Sequence, residues 1–167
     1  MEPLAPFAAD NEEATVATPA ERTLVLFKPD SVHRRLVGTL FERLERKGLR
    51  LLGMKLVHPQ KPLVEKHYAV HKGKPFYNDL VQFLTAGPTV AMVWEGREAI
   101  AVVRLLIGPT DGAKAPPGTI RGDYALSIQN NLVHASDSPD NAALEIGLWF
   151  KPDELVNWDA ANLALLR

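Results

Sequence analysis

The chain has 167 residues, enough for one well-cored domain and too few for two comfortable ones. Hydrophobic residues at 46% and charged residues at 23% exclude a disordered chain, and no apolar run approaches the roughly 18 residues of a membrane-spanning helix. Cysteine is absent, which removes disulfides, thiol nucleophiles and thiolate metal sites, and a net charge of −1 selects no class of partner by itself.

Residues 1–20 hold six Ala, three Pro and four acids (Glu2, Asp10, Glu12, Glu13), with no Lys or Arg and no periodicity, so a flexible tail is expected there. They lack the basic start and apolar centre of a secretory signal and the arginines of a mitochondrial transit peptide. The remaining body carries 19 basic and 16 acidic side chains, a net +3 that mildly suits phosphates.

From Glu21 the pattern is regular. Thr23 to Phe27 reads as a strand, broken at Lys28-Pro29-Asp30. Leu36, Val37, Leu40, Phe41 and Leu44 recur at helical spacing, and Gly48 follows as a helix-end glycine. Leu49 to Val57 reads as a second strand whose alternation changes phase at Leu52-Gly53, the mark of a bulge. Helical patterns follow over Leu63–Val70 and Phe76–Thr85, stopped by Gly87-Pro88. The largely apolar Thr89–Trp94 predicts a central strand, Arg97 to Ile107 a helix, and 108–118 a Gly/Pro-rich loop. Asn131 to His134 forms a short last strand, Ser138-Pro139 opens a helix as N-cap and first-turn proline, and Gly147 is expected to close it. The reading is one α+β domain, a small, mostly antiparallel sheet with helices packed on it.

Three clusters have chemical potential. Lys28 stands where a strand breaks, with Arg34 and Arg35 beyond; a lone lysine at a turn is more often simply solvated. Arg104, on the helical face of Ile100 and Ile107, joins Thr110 and Arg121 around the Gly/Pro loop, a set that suits either an anion or ion pairs to nearby acids. His134-Ala135-Ser136-Asp137-Ser138 links the last strand to a helix that carries Glu145; an imidazole with a carboxylate and hydroxyls in reach suits nucleophilic catalysis or a partly buried structural histidine. No H-E-x-x-H or Cys/His metal-ligating spacing and neither common glycine-loop nucleotide motif occurs.

The combination of strings is far more specific than any cluster. ERTLVLFKPDSV (Glu21–Val32), KGLRLLGMK (Lys47–Lys55), GPTVAMVWEG (Gly87–Gly96), PGTIRGDY (Pro117–Tyr124), NNLVHASDS (Asn130–Ser138) and EIGLWF (Glu145–Phe150) together resemble the nucleoside diphosphate kinase family. The resemblance implies a ferredoxin-like, antiparallel four-stranded sheet covered by helices. It also implies reversible transfer of a γ-phosphate, with ATP as donor, between nucleoside di- and triphosphates through a phosphohistidine. By position, His134 resembles the nucleophile, with Glu145 and Ser136 orienting it and Tyr68 close by. Lys28 and Asn131 match residues at the ribose and transferred phosphate; Arg104, Thr110, Arg121 and His67 match those on the phosphates. Phe76 resembles the aromatic under the base, with Ile128 on its other side. Mg²⁺ is implied, held by nucleotide phosphates and water rather than by protein ligands. Cytoplasmic location and a homohexamer, with a tetramer as alternative, are also implied.

An imidazole titrates near pH ~6.5, so in neutral solution it offers a lone pair to phosphorus, and a carboxylate partner stabilises the cation that forms. This chain departs from the family pattern at Ala135, Ser31 and Arg35, where glycine is usual, and at Asn130, where arginine is usual. None of these removes a group to which the resemblance gives a chemical role. A decayed, regulatory member that touches nucleic acid is the rival reading, opposed by the intact site residues and the lack of an arginine-rich stripe. Transfer of the phosphate to a protein histidine would use the same intermediate.

Overall fold

The computed structural model describes residues 20–158; the expected tail and the last nine residues lie outside that range, apart from Ala20. In chain order the elements are β1 (Glu21–Phe27), α1 (Pro29–His33), α2 (Val37–Arg46), β2 (Arg50–Val57), α3 (Lys61–His67), α4 (Tyr77–Thr85), β3 (Thr89–Gly96), α5 (Ala99–Ile107), α6 (Ile120–Tyr124), β4 (Val133–Ala135) and α7 (Pro139–Trp149). Short 3₁₀ turns at Ala69–His71, Gly112–Lys114 and Pro152–Glu154 join them. The strands pair antiparallel in the order β2-β3-β1-β4, the ferredoxin-like arrangement.

The two central strands are apolar over Leu24–Phe27 and Val90–Trp94 because both of their faces are covered there. Val25 and Phe27 of β1 join Met92 and Trp94 of β3 under α2 and α5. Leu24, Leu26, Ala91 and Val93 face the other way, against α3, α4 and Trp149 of α7. β1 begins two residues before the expected Thr23, since Arg22 pairs across the sheet with Glu95 at 2.8 Å. The phase change in β2 is a bulge: Leu51 faces Trp94 and Gly53 faces Val93, leaving Leu52 as the extra residue. A side chain at Gly53 would strike the arm after α7, with its Cβ 2.9 Å from Leu155 Cδ2 and 3.0 Å from Glu154 O.

Two five-residue helices, α1 and α6, were not anticipated, being too short to show a period. Proline at the first turn starts α1, and Thr119 caps α6 by accepting the Gly122 N–H at 3.0 Å. Ser138 caps α7 as expected, accepting from Asn141 N–H. Gly147 does not close that helix, however. It lies inside α7 with open space around it, and the helix runs on because Trp149 is buried in the core.

Candidate active site

β1 ends at Phe27, and its continuation meets β4 at a sharply bent corner. Lys28 N–H donates to Leu132 O (2.8 Å), Ser31 Oγ donates to the same carbonyl (2.6 Å), and Leu132 N–H donates to Asp30 Oδ2 (3.0 Å). Leu132 is fully buried at φ 70°, and Val133 N–H bonds to Asn131 O across it (2.8 Å), making a tight three-residue turn. A leucine adopts this left-handed backbone only when its surroundings over-determine it. The turn places Asn131 on one side and His134 on the other.

Arg121 braces the corner from α6. It is buried, and it donates to three backbone carbonyls: Gly108 (2.8 Å), Asn131 (3.2 Å) and Val133 (2.6 Å). Burial and then the charge of Arg104 push its pKa down to about 10, so it stays cationic at neutral pH. Of five N–H donors, two remain for a ligand. Lys28, also buried, donates its ammonium to Asn131 Oδ1, while Asn131 Nδ2 donates to Thr110 O (2.9 Å). Burial, then Arg121, lowers the Lys28 pKa to about 8 against the opposing pull of Asp30.

The imidazole of His134 has its Nε2 at 2.9 Å from Glu145 Oε1. The other carboxylate oxygen accepts from Ser136 Oγ at 2.5 Å, and Ser136 Oγ in turn accepts the Leu24 N–H. Burial raises the Glu145 pKa, but hydrogen bonds from His134 and Ser136 outweigh it and leave the carboxyl below its usual value. An ionised carboxylate only accepts, so the proton of a neutral His134 ring resides on Nε2 and the Nδ1 lone pair is left free. Behind it, the ring of His67 stands edge-on at 4.4 Å, and Tyr68 packs on His67 at 4.7 Å. Burial, then Glu145, raises the Tyr68 pKa, so the phenol keeps its proton.

These groups surround a cavity of about 1150 Å³, ample for a nucleotide. Every site residue named from the sequence except Ser136 lines it; Ser136 acts from behind, through Glu145. Two placements differ from expectation. Arg104 is exposed at the rim, although Ile100 and Ile107 on the same face are buried, because that face of α5 runs from the core to the cavity mouth. His67 is ill suited to a phosphate: its side chain is fully covered, its Nδ1 accepts from Trp149 Nε1–H (3.3 Å), and burial, then His134, lowers its pKa to about 3. It remains neutral at neutral pH and serves as a wall behind His134. His71, one helical turn on, instead lines the cavity from a half-buried position beside Phe76 (5.6 Å). The four-residue spacing from His67 was its only sequence signal. Lys66 and Gln129 also line the cavity without having been singled out, as does Asp137 of the His134 cluster.

Among the described residues, the one group of three metal-type donors is His67, His134 and Glu145. Two imidazoles and a committed carboxylate are a poor fit for Mg²⁺, which prefers oxygen ligands and keeps its waters. No helix among the described residues is long and apolar enough to cross a membrane.

A profile of the family described as nucleoside diphosphate kinase matches residues 21–155. A nucleoside diphosphate kinase of Staphylothermus marinus is 55% identical over 138 residues, covering 83% of this chain and 98% of the relative. One from a Picosynechococcus strain is 53% identical over 146 residues, covering 87% and 98%. Among solved structures, a halophilic nucleoside diphosphate kinase of Halobacterium salinarum in complex with CDP superposes with a TM-score of 0.84 at 48% identity, over 89% of this chain and 99% of that one.

Proposed function

The chain belongs to the nucleoside diphosphate kinase family, and from that premise we propose that the phosphate it transfers is carried on Nδ1 of His134. The protein is an enzyme that moves phosphate between nucleoside tri- and diphosphates by the family's phosphohistidine mechanism. The observation that carries the residue assignment is the 2.9 Å contact of His134 Nε2 with Glu145, which leaves Nδ1 as the ring nitrogen available to the cavity.

In the first half-reaction the Nδ1 lone pair attacks the γ-phosphorus of a triphosphate, ATP being the natural donor. The P–N bond forms as the bond to the β-phosphate oxygen breaks, and the diphosphate leaves. No proton moves: the Nε2–H stays, the ring becomes cationic, and the ionised Glu145 faces it. In the second half an acceptor diphosphate takes the group back. Phosphoryl transfer spreads charge over the transferred oxygens, and Arg104, Lys28 and the free donors of Arg121 are the fixed positive groups to meet it. Asn131 and Thr110 hold the cradle in register. The reaction uses a divalent cation, which we assign as Mg²⁺ held by the nucleotide phosphates and water.

For the base, Phe76 (45% exposed) and Ile128 (61% exposed) offer apolar walls at the mouth. Stacking accepts every base, so broad specificity within about tenfold is expected. For assembly, β2 is a sheet edge whose Met54 and Leu56 are 54% and 65% exposed, apolar surface that a second copy would cover. A homohexamer is the reading we adopt, with a tetramer as alternative and a cytoplasmic setting. The test is direct. ATP and Mg²⁺ without acceptor yield an acid-labile, base-stable phosphoenzyme, absent in His134→Gln. Label persisting in that variant, or an acid-stable phosphoester, refutes the assignment.

A further inference from the structure

Gln129 follows Ile128 in the loop between α6 and β4 and lines the same cavity. It is half-buried, and its amide nitrogen donates to the backbone carbonyl of Asp79 in the first turn of α4, at 3.2 Å. α4 begins directly after Phe76, so this hydrogen bond links the loop that carries one wall of the slot to the helix that carries the other. The orientation of the amide is fixed by chemistry. A carbonyl cannot donate, so the –NH₂ end must face Asp79 O, and Oε1 is turned away from it. No donor engages Oε1 among the described residues.

We propose that Gln129 is a specificity-determining residue, its Oε1 accepting a hydrogen bond from the exocyclic amine of a base held between Phe76 and Ile128. This rests on the base-slot reading above and adds direction to it. Stacking on an aromatic and an aliphatic wall is indifferent to the groups on the base edge. A fixed acceptor beside the slot is not. Cytosine and adenine present an amine where uracil and hypoxanthine present a keto oxygen, which would leave Oε1 facing another acceptor. Because Gln129 is only half-buried, water competes for the keto bases and the discrimination stays modest. One partly solvated hydrogen bond supplies about three- to tenfold. Broad specificity is thereby kept, with a tilt towards amino-bearing bases.

The experiment compares kcat/KM for CDP against UDP and for ADP against IDP, pairs that differ at the amine and hardly in size. It uses the full chain, Gln129→Leu, Gln129→Gly and Phe76→Ala. The wild type is expected to favour CDP and ADP by about three- to tenfold. Both Gln129 variants should bring the two ratios close to one, mainly through the KM values of CDP and ADP. Wild-type ratios near one, or ratios that survive in Gln129→Leu, overturn the proposal. An equal loss for all four acceptors in the Gln129 variants also overturns it, since it would make the residue a tie between the walls. Phe76→Ala separates the two levels of the argument. Weaker binding of all four bases in that variant upholds the slot whatever Gln129 does, whereas four unchanged KM values remove the slot and the proposal with it.

Discussion

Glycine substituted at three positions should change stability with three different outcomes, because backbone angle and burial vary independently among them. Arg35 has φ 57° and is exposed, and its side chain makes no hydrogen bond or ion pair among the described residues. A non-glycine residue in this region costs roughly 1–2 kcal/mol, and glycine returns about 0.5–1 kcal/mol of that to the unfolded chain as entropy. Arg35→Gly is therefore expected to stabilise by about 0.5–1 kcal/mol. Ala135 is not among the positive-φ residues; it is an ordinary strand residue paired with Val25 and 4% exposed. There glycine has no strain to relieve, removes a buried methyl worth about 0.8 kcal/mol, and adds the same entropy cost, for a loss of about 1–2 kcal/mol. At Leu132, φ 70° again favours glycine, but the side chain is fully buried. Truncating a core leucine costs about 2–5 kcal/mol, which exceeds the strain recovered, so a net loss of about 2–4 kcal/mol is expected. Urea denaturation at one fixed protomer concentration measures all three, since assembly contributes to apparent stability. Turnover should be nearly unchanged in the first two and reduced in Leu132→Gly, whose turn carries Asn131 and His134. A destabilising Arg35→Gly, or a stabilising Ala135→Gly, would refute the backbone argument.

Glu145→Gln keeps the shape but removes the charge opposite the phosphoimidazole; a charge-assisted bond is worth about 1.5–3 kcal/mol, so kcat should fall on the order of tenfold to a hundredfold by rapid-quench measurement. Ser136→Ala, which touches only the far oxygen of Glu145, should cost less. For Lys28, with a folded pKa of about 8 below its unfolded value, the unfolded chain binds more protons between the two, so its contribution to stability rises with pH across that window. Its charge, however, is lost above about pH 8, so kcat/KM should show an alkaline limb near there that Lys28→Arg moves upward; a profile flat to pH 10 would remove Lys28 from substrate binding. Light scattering should report a closed oligomer at micromolar concentration, and Leu56→Lys on the β2 edge should weaken it; a stable wild-type monomer contradicts the assembly reading.

The sequence by itself determined the fold class, because the short apolar runs of β1 and β3 and the helical period of α2 are local patterns that burial imposes directly. It also named His134, Glu145 and Ser136, whose nearness follows from a short strand-to-helix connection within one stretch of chain. Even the bulge in β2 was legible, as a slip in alternation at Leu52-Gly53. The tertiary structure decided what depends on which distant groups share a space. His67 and His71 read alike in sequence, yet the fold seats one behind the nucleophile against Trp149 and the other at the cavity, a difference set by the packing of α3 on α7. The glycine departures split in the same way. Arg35 is left-handed and Ala135 is not, because φ is fixed by the local structure each occupies, a turn for one and a paired strand for the other, and not by the residue type alone. The tie from Gln129 to Asp79 spans fifty positions, and no pattern along the chain records a contact that exists only once the sheet has brought the loop and α4 together.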